Sequence, residues 1–260
     1  MKTQKKHTGK SYMRIIGMML CLAVFLFASW NVLDIREEYR EANETYEEAA
    51  EQFAEVPEPD IESAGPDLPK IDFEGLLEIN DDIVGWIYIE GTDVNYPVLK
   101  GIDNDQYLFQ SYKKKYLTAG SIYIDYRCSA DFSDKHMVVY GHNMKNGTMF
   151  GQMDKYKTEE YLKEHSYVYI ILPDGTWKKY QVFGAYIADV FGPTFSLPAK
   201  DEVEMYNLRK LIKQENQIKT PPVIPADGQK LMTLSTCTED SDDYNRFVIS
   251  CVLVEEGKNN

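Results

Sequence analysis

Leu231–Arg246 reads LMTLSTCTEDSDDYNR. Leu231, Met232, Thr233, Leu234 and Thr236 suit a pleated strand, and Glu239, Asp240, Asp242 and Asp243 give the next stretch the polarity of a surface turn. Cys237 therefore stands at a strand's exit, and Arg246 follows nine residues later at the start of a second strand-like run. A structural cysteine more often lies mid-strand among apolar neighbours, whereas one at a strand end beside a loop can be reached by a substrate. A hairpin between the two strands would set Arg246 beside Cys237 across the ladder. A nucleophile is one reading of this stretch. It needs a base and a cation from the rest of the chain.

Working outward, β-rich runs recur between turns: Ile83–Ile89, Val94–Val98, Ser121–Asp125, Met137–His142, Tyr167–Leu172, Lys178–Val190, Lys230–Ser235 and Phe247–Val254. Eight such strands predict an all-β barrel or sandwich with helical insertions. One insertion is Ala199–Gln217, where Val203, Tyr206, Leu208, Leu211 and Ile212 fall near helical spacing between the sixth and seventh strands. A shorter helix is expected from Gly147 through Tyr156. Neither an internal repeat nor a low-complexity tract interrupts the domain.

Upstream, Ile15–Leu33 carries no charge over nineteen residues, about the length that crosses a hydrocarbon core of roughly 30 Å. No clean A-x-A cleavage site ends it, so an uncleaved anchor is expected rather than a signal peptide. Lys2, Lys5, Lys6, Lys10 and Arg14 precede it, which by the positive-inside rule keeps residues 1–14 in the cytoplasm and sends everything after residue 33 outside. Asp34–Ala54 places Ile35, Tyr39, Ala42, Tyr46, Ala49 and Phe53 at steps of three and four, a thin apolar stripe on an acidic helix that could pack on the domain or stand as a solvated stalk. Prolines at 57, 59, 66 and 69 then mark a linker, and the exterior domain is expected over residues 71–257.

Composition narrows the function classes. The 260 residues carry a net charge of −14, which argues against nucleic acid, since a binder must replace phosphate counterions with a basic surface. Four cysteines, at 21, 128, 237 and 251, form no CxxC and no dense framework, so neither a disulfide scaffold nor a zinc ribbon is expected, and no metal or cofactor is called for. Cys251 sits in the strand-like VISCVLV, where it reads as a small packing residue; the role of Cys128 is open.

A thiol with an ordinary pKa near 8.5 is only a few per cent ionised at neutral pH, so a cysteine nucleophile needs a proton acceptor. His7 falls on the cytoplasmic side, and His136 and His165 lie in polar, turn-like surroundings. His142 ends the apolar run MVVYGH immediately before the loop NMKNGT, the same strand-end placement as Cys237. Arg246 could hold the oxyanion of a tetrahedral intermediate, because a guanidinium stays charged and offers several donors. The plainer alternatives are a strand-end histidine that only packs and an arginine paired with Asp240, Asp242 or Asp243.

TLSTC at 233–237 followed by Arg246 resembles the TLxTC…R signature of the sortases, membrane-anchored cysteine transpeptidases of Gram-positive cell surfaces, and YGHNM at 140–144 resembles their histidine segment. GWIYIEGTDVNYPVL, GSIYIDYR and YGHNMKNGTMF are similar to class B members in particular. The resemblance implies an eight-stranded β-barrel with N-terminal helices and a helix inserted between strands 6 and 7. It implies Cys237 as nucleophile, His142 as general acid and base, and Arg246 as oxyanion or carbonyl ligand. Asn104, Leu108, Tyr140, Ser235 and Thr236 would line the substrate groove, and Val190–Leu197 would wall it beside the inserted helix. The implied reaction cuts a sorting motif of the LPxTG or NPxTN kind after Thr and passes the acyl group to an amine of a peptidoglycan precursor. Its implied partners are surface proteins bearing C-terminal sorting signals. A pilus-polymerising variant using a pilin lysine, or a silent binding barrel, are the competing expectations. Thr238 stands where some relatives carry an acid, so the preferred motif stays open.

Overall fold

A computed structural model describes residues 8–55, 66–237 and 244–258. It divides into two compact units, Met1–Glu41 and Ala42–Asn260. One helix, α1 (Thr8–Phe53), runs through the apolar stretch and the acidic stripe without a break. The uncharged run and the acidic stripe thus share one helix, in keeping with a stretch that contains no proline before Pro57. It is long and apolar enough to cross a membrane. Within the larger unit Ala42, Tyr46, Ala49 and Phe53 are buried. The predicted stripe is therefore a packing face over its last turns, and the Tyr46 hydroxyl donates to the Gly120 carbonyl. Ile35, also on the predicted stripe, is exposed.

The larger unit is built on eight strands: β1 (Ile83–Tyr88), β2 (Asn95–Leu99), β3 (Ile122–Ile124), β4 (His136–Tyr140), β5 (Tyr167–Ile171), β6 (Thr176–Asp189), β7 (Leu231–Cys237) and β8 (Asn245–Lys258). They close into a barrel in the order β8-β6-β5-β1-β2-β3-β4-β7, with β7 paired again to β8. Closure removes the exposed edges that an open sheet would present. All neighbours are antiparallel except β2 with β3 and β4 with β7. The parallel pairs decide where the site can form, because parallel neighbours bring two strand ends out on the same side.

Three helices complete this unit: α2 (Phe73–Ile79), α3 (Glu159–Glu164) and α4 (Glu202–Glu215). The last is the expected insertion between β6 and β7. The Asp201 carboxylate caps it by accepting from the Val203 and Glu204 amides at 2.9 and 3.0 Å. Its buried stripe is Met205, Leu208 and Ile212, while Val203 and Tyr206, which the periodicity placed on the apolar face, are exposed. Gly184 on β6 is where α4 comes down: a Cβ there would lie 2.8 Å from Ile212 Cγ2. The helix expected between Gly147 and Tyr156 is instead a 3₁₀ segment, Met153–Lys157. Gly147 (φ +89°) and Met149 (φ +53°) bend the preceding chain into turns that no helix can contain.

Candidate active site

Strand register assembles the site. Tyr140 on β4 pairs with Ser235 on β7, Ser235 with Val248 on β8, and Val248 with Tyr186 on β6. Directly paired residues share a face and successive residues alternate, so these four form one row across the sheet. One row further along, on the same face, Arg246 pairs with Cys237. The hairpin expectation therefore holds at the level of the backbone; the Cys237 side chain lies outside the described residues. β4 ends at Tyr140, two residues short of Cys237 in this register, and Gly141 still donates to the Ser235 carbonyl at 3.1 Å. A Cβ on Gly141 would meet Ile122 Cδ1 at 2.5 Å and the Phe150 ring at 2.7 Å, so the backbone just before His142 packs directly on these two side chains.

His142 is half-buried, with Nε2 2.7 Å from the Leu108 carbonyl oxygen. A carbonyl only accepts, so Nε2 carries a proton and the neutral ring presents Nδ1 as its lone pair. Burial lowers the His142 pKa below its ordinary value, partly offset by the Leu108 carbonyl, which favours the charged ring. The anchoring carbonyl is itself fixed. Gly120, at φ +55°, passes so near that a Cβ would sit 2.2 Å from the Leu108 oxygen. Phe109 lies against the imidazole, ring centroids 5.5 Å apart.

A cleft of about 370 Å³ runs along this end of the barrel, and Asn104, Leu108, Tyr140, His142, Ser235, Thr236 and Arg246 all line it. Val190 and Phe195 come from the segment expected to form the wall. Ser235 Oγ and Thr236 Oγ1 are buried and make no hydrogen bond among the described residues. Arg246 donates through Nη1 to the Asn245 carbonyl at 2.9 Å. Beneath the cleft lies a group that composition and spacing did not single out. The Asp125 carboxylate, fully buried, accepts from Asn104 Nδ2 and the Tyr140 hydroxyl, both at 2.9 Å, and from Arg127 Nε and Nη2, both at 2.8 Å. Desolvation would raise its pKa, but Arg127 and its other donors outweigh that and hold it below the usual carboxylate range. Arg127 also reaches the Phe195 and Leu197 carbonyls at 3.4 Å each, so one guanidinium ties the cleft floor to the opposite wall.

The sortase domain family matches residues 87–254. Sortase B of Listeria monocytogenes is 31% identical over 96% of this chain and 98% of its own length. The chain belongs to the sortase family, class B. Among solved structures, sortase B from B. anthracis in complex with AAEK1 superposes with a TM-score of 0.68 at 28% identity, covering 84% of this chain and 99% of that one. The Staphylococcus aureus sortase B–substrate complex gives 0.64 at 28% identity, covering 70% of this chain and 84% of the other. The eight-stranded barrel is therefore the sortase barrel.

Other cysteines and histidines of the sortase separate from the cleft residues. Cys128 and Cys251 are buried, and burial pushes both thiols up, Cys128 to about 12, so neither supplies a thiolate at neutral pH. His136, expected in a polar turn, is instead the fully buried first residue of β4, with Nε2 2.9 Å from Thr233 Oγ1. Its sequence neighbours Ser133, Asp134 and Lys135 are polar because the strand begins only at His136. Thr238 and the acids Glu239, Asp240, Asp242 and Asp243, like His7, lie outside the described residues. The Asp125–Arg127 pair did leave a signal in GSIYIDYR: an acid and a base two apart just past a strand's exit, where the turn brings the guanidinium onto the carboxylate.

Proposed function

We propose that this sortase is a cysteine transpeptidase in which Cys237 is the nucleophile, His142 the general acid and base, and Arg246 the ligand of the developing oxyanion. The observation that carries the reading is the cross-strand pair Arg246–Cys237, at the end of a cleft whose lining includes both His142 and Arg246. The Cys237 thiol gives its proton to His142 Nδ1, the resulting thiolate attacks the carbonyl carbon of a substrate threonine, and the oxyanion is met by Arg246. As the carbon–nitrogen bond breaks, the imidazolium gives its Nδ1 proton to the leaving amine. An incoming amine then attacks the thioester carbon and loses its proton to Nδ1, and the carbon–sulfur bond breaks to restore the thiolate. With Nε2 held by the Leu108 carbonyl, the shuttling proton stays on one nitrogen and the ring need not rotate between half-reactions. Buried but unpaired, Ser235 and Thr236 hydroxyls can pair with a peptide in the cleft.

The substrate on this reading is a surface protein ending in a sorting motif of the LPxTG or NPxTN type, cut after Thr, and the acceptor is an amine of a peptidoglycan precursor. Ile15–Leu33 anchors the chain in a membrane, residues 1–14 face the cytoplasm, and everything after residue 33 works outside, with the buried stripe Ala42–Phe53 belonging to the catalytic unit. Mass spectrometry of a sorting-motif peptide library with the wild-type chain is expected to return one cut site after Thr and a thioacyl adduct. Cys237→Ala should lose both. Retained cleavage in that variant would sink the assignment.

A further inference from the structure

On another part of the larger unit, α4 and the segment that follows it, residues 216–227, form a cavity of about 670 Å³ that shares no lining residue with the catalytic cleft. Phe183, Ile212, Ile218 and Ile224 make its wall apolar, and Ile224 is 83% exposed. Its charge is one-sided. Arg209, Lys210, Lys213 and Lys219 line it against a single carboxylate, Asp227, on a chain whose net charge is −14. Asp227 is already engaged by Arg209 at 2.7 Å, and Arg209 Nη1 is buried without a hydrogen-bond partner among the described residues. Among the described residues Lys210, Lys213 and Lys219 make no ion pair.

The polar groups left over decide what kind of ligand fits. Asn216 is spent: its Oδ1 accepts from the Ala185 and Ile218 amides and its Nδ2 donates to the Phe183 carbonyl, each at 3.0 Å. The Tyr206 hydroxyl, on an exposed residue, is the other neutral polar side-chain group in the lining. A pocket of this size, apolar with a few convergent charges, is the ordinary form of a small-molecule site. The excess of cations over carboxylates suits an anionic head, and the apolar wall suits an alkyl chain. We infer that the cavity binds a single-chain anionic amphiphile, with the alkyl chain against Phe183, Ile212, Ile218 and Ile224 and the anionic head on Lys210, Lys213 and Lys219.

The test uses the full chain in uncharged detergent and a diazirine-bearing dodecyl phosphate as probe. Photolabelling is expected to concentrate in peptides from residues 203–225, to saturate, and to be competed by dodecyl phosphate. Inorganic phosphate, dodecylphosphocholine and an acidic peptide should not compete. Lys210→Glu, Lys213→Glu and Lys219→Glu together should cut labelling at least tenfold, and Ile224→Asp alone should do so from the apolar side. Both variants should cleave the sorting peptide within twofold of wild type, which separates failure here from failure of the catalytic reading. Labelling that does not saturate, that zwitterionic dodecylphosphocholine competes equally, or that survives the triple substitution would overturn the inference. Competition by inorganic phosphate alone would also overturn it, since the alkyl chain would then contribute nothing.

Discussion

His136 and His142 bracket the same strand, one at the start of β4 and the other just past its end, and the surroundings give them opposite character. His136 is fully buried, with one nitrogen on Thr233 and Nδ1 unpaired, and burial pulls its pKa down to about 4. His142 has one nitrogen anchored on a carbonyl, its other edge toward a cleft, and a downward shift that the anchor partly offsets. What separates them is position: the strand ends at Tyr140, so His142 lies beyond the ladder in the chain that lines the cleft, while His136 begins it inside the core.

The largest expected effect breaks the pair functionally. Removing a general acid–base group typically costs 10²–10⁴-fold, so His142→Gln should lower cleavage of a sorting-motif peptide by about a thousandfold while the unfolding temperature moves little. His136→Gln should do the reverse, leaving turnover per folded molecule near wild type and lowering stability. Equal activity loss in both, measured against folded fraction, would remove the distinction. Next comes the floor of the cleft. Arg127→Met strips the buried Asp125 of its counter-ion, and breaking such a pair from one side is strongly destabilising. With the guanidinium about one third exposed, we expect a loss of about 2–3 kcal/mol in urea unfolding, together with a raised KM as the carboxylate that holds Asn104 and Tyr140 loses its counter-ion. Arg127→Lys should restore most of the stability and less of the KM, because an ammonium cannot reproduce the two parallel bonds. An unchanged KM in Arg127→Met would confine the residue to a structural role.

The strands were legible wherever apolar residues alternate, and less so where a strand runs on in polar sequence. β8 was expected over Phe247–Val254 and spans Asn245–Lys258, because its pairing with β6 carries it through Glu255 and Glu256 opposite Lys179 and Lys178. His142, Cys237 and Arg246 could be picked out because each stands where an apolar run meets a loop. Asp125 was hidden for the opposite reason. Its partners come from Asn104 in one loop and Tyr140 on the next strand, so only the β3–β4 pairing and the loop after β2 bring them together. His136 was misread because its sequence neighbours are polar, while its true neighbour, Thr233, is 97 residues away through the parallel β4–β7 ladder. Lys210 and Lys213 of the second cavity carry no signal beyond an exposed helix face, and Lys219 follows in the irregular segment after it, which is where such residues usually sit.

The smallest expected effect tests the histidine comparison through pH. Folding lowers the His136 pKa from about 6.5 to about 4, burial being the cause and Asp125 pulling weakly the other way. Between those values the unfolded chain binds a proton that the folded chain refuses, so acid favours unfolding and stability falls as pH drops below about 6.5. For one group shifted that far, the loss between pH 7 and pH 5 is about 2 kcal/mol. Burial also lowers the His142 pKa, with the same sign, so wild type alone cannot apportion the slope. Urea unfolding of His136→Gln and His142→Gln at both pH values separates them. The His136 variant should lose most of the slope, whatever its absolute stability, and the His142 variant should keep most of it. If the slope instead follows His142, the strand-start imidazole is not held neutral by burial, and the contrast between the two ends of β4 does not stand.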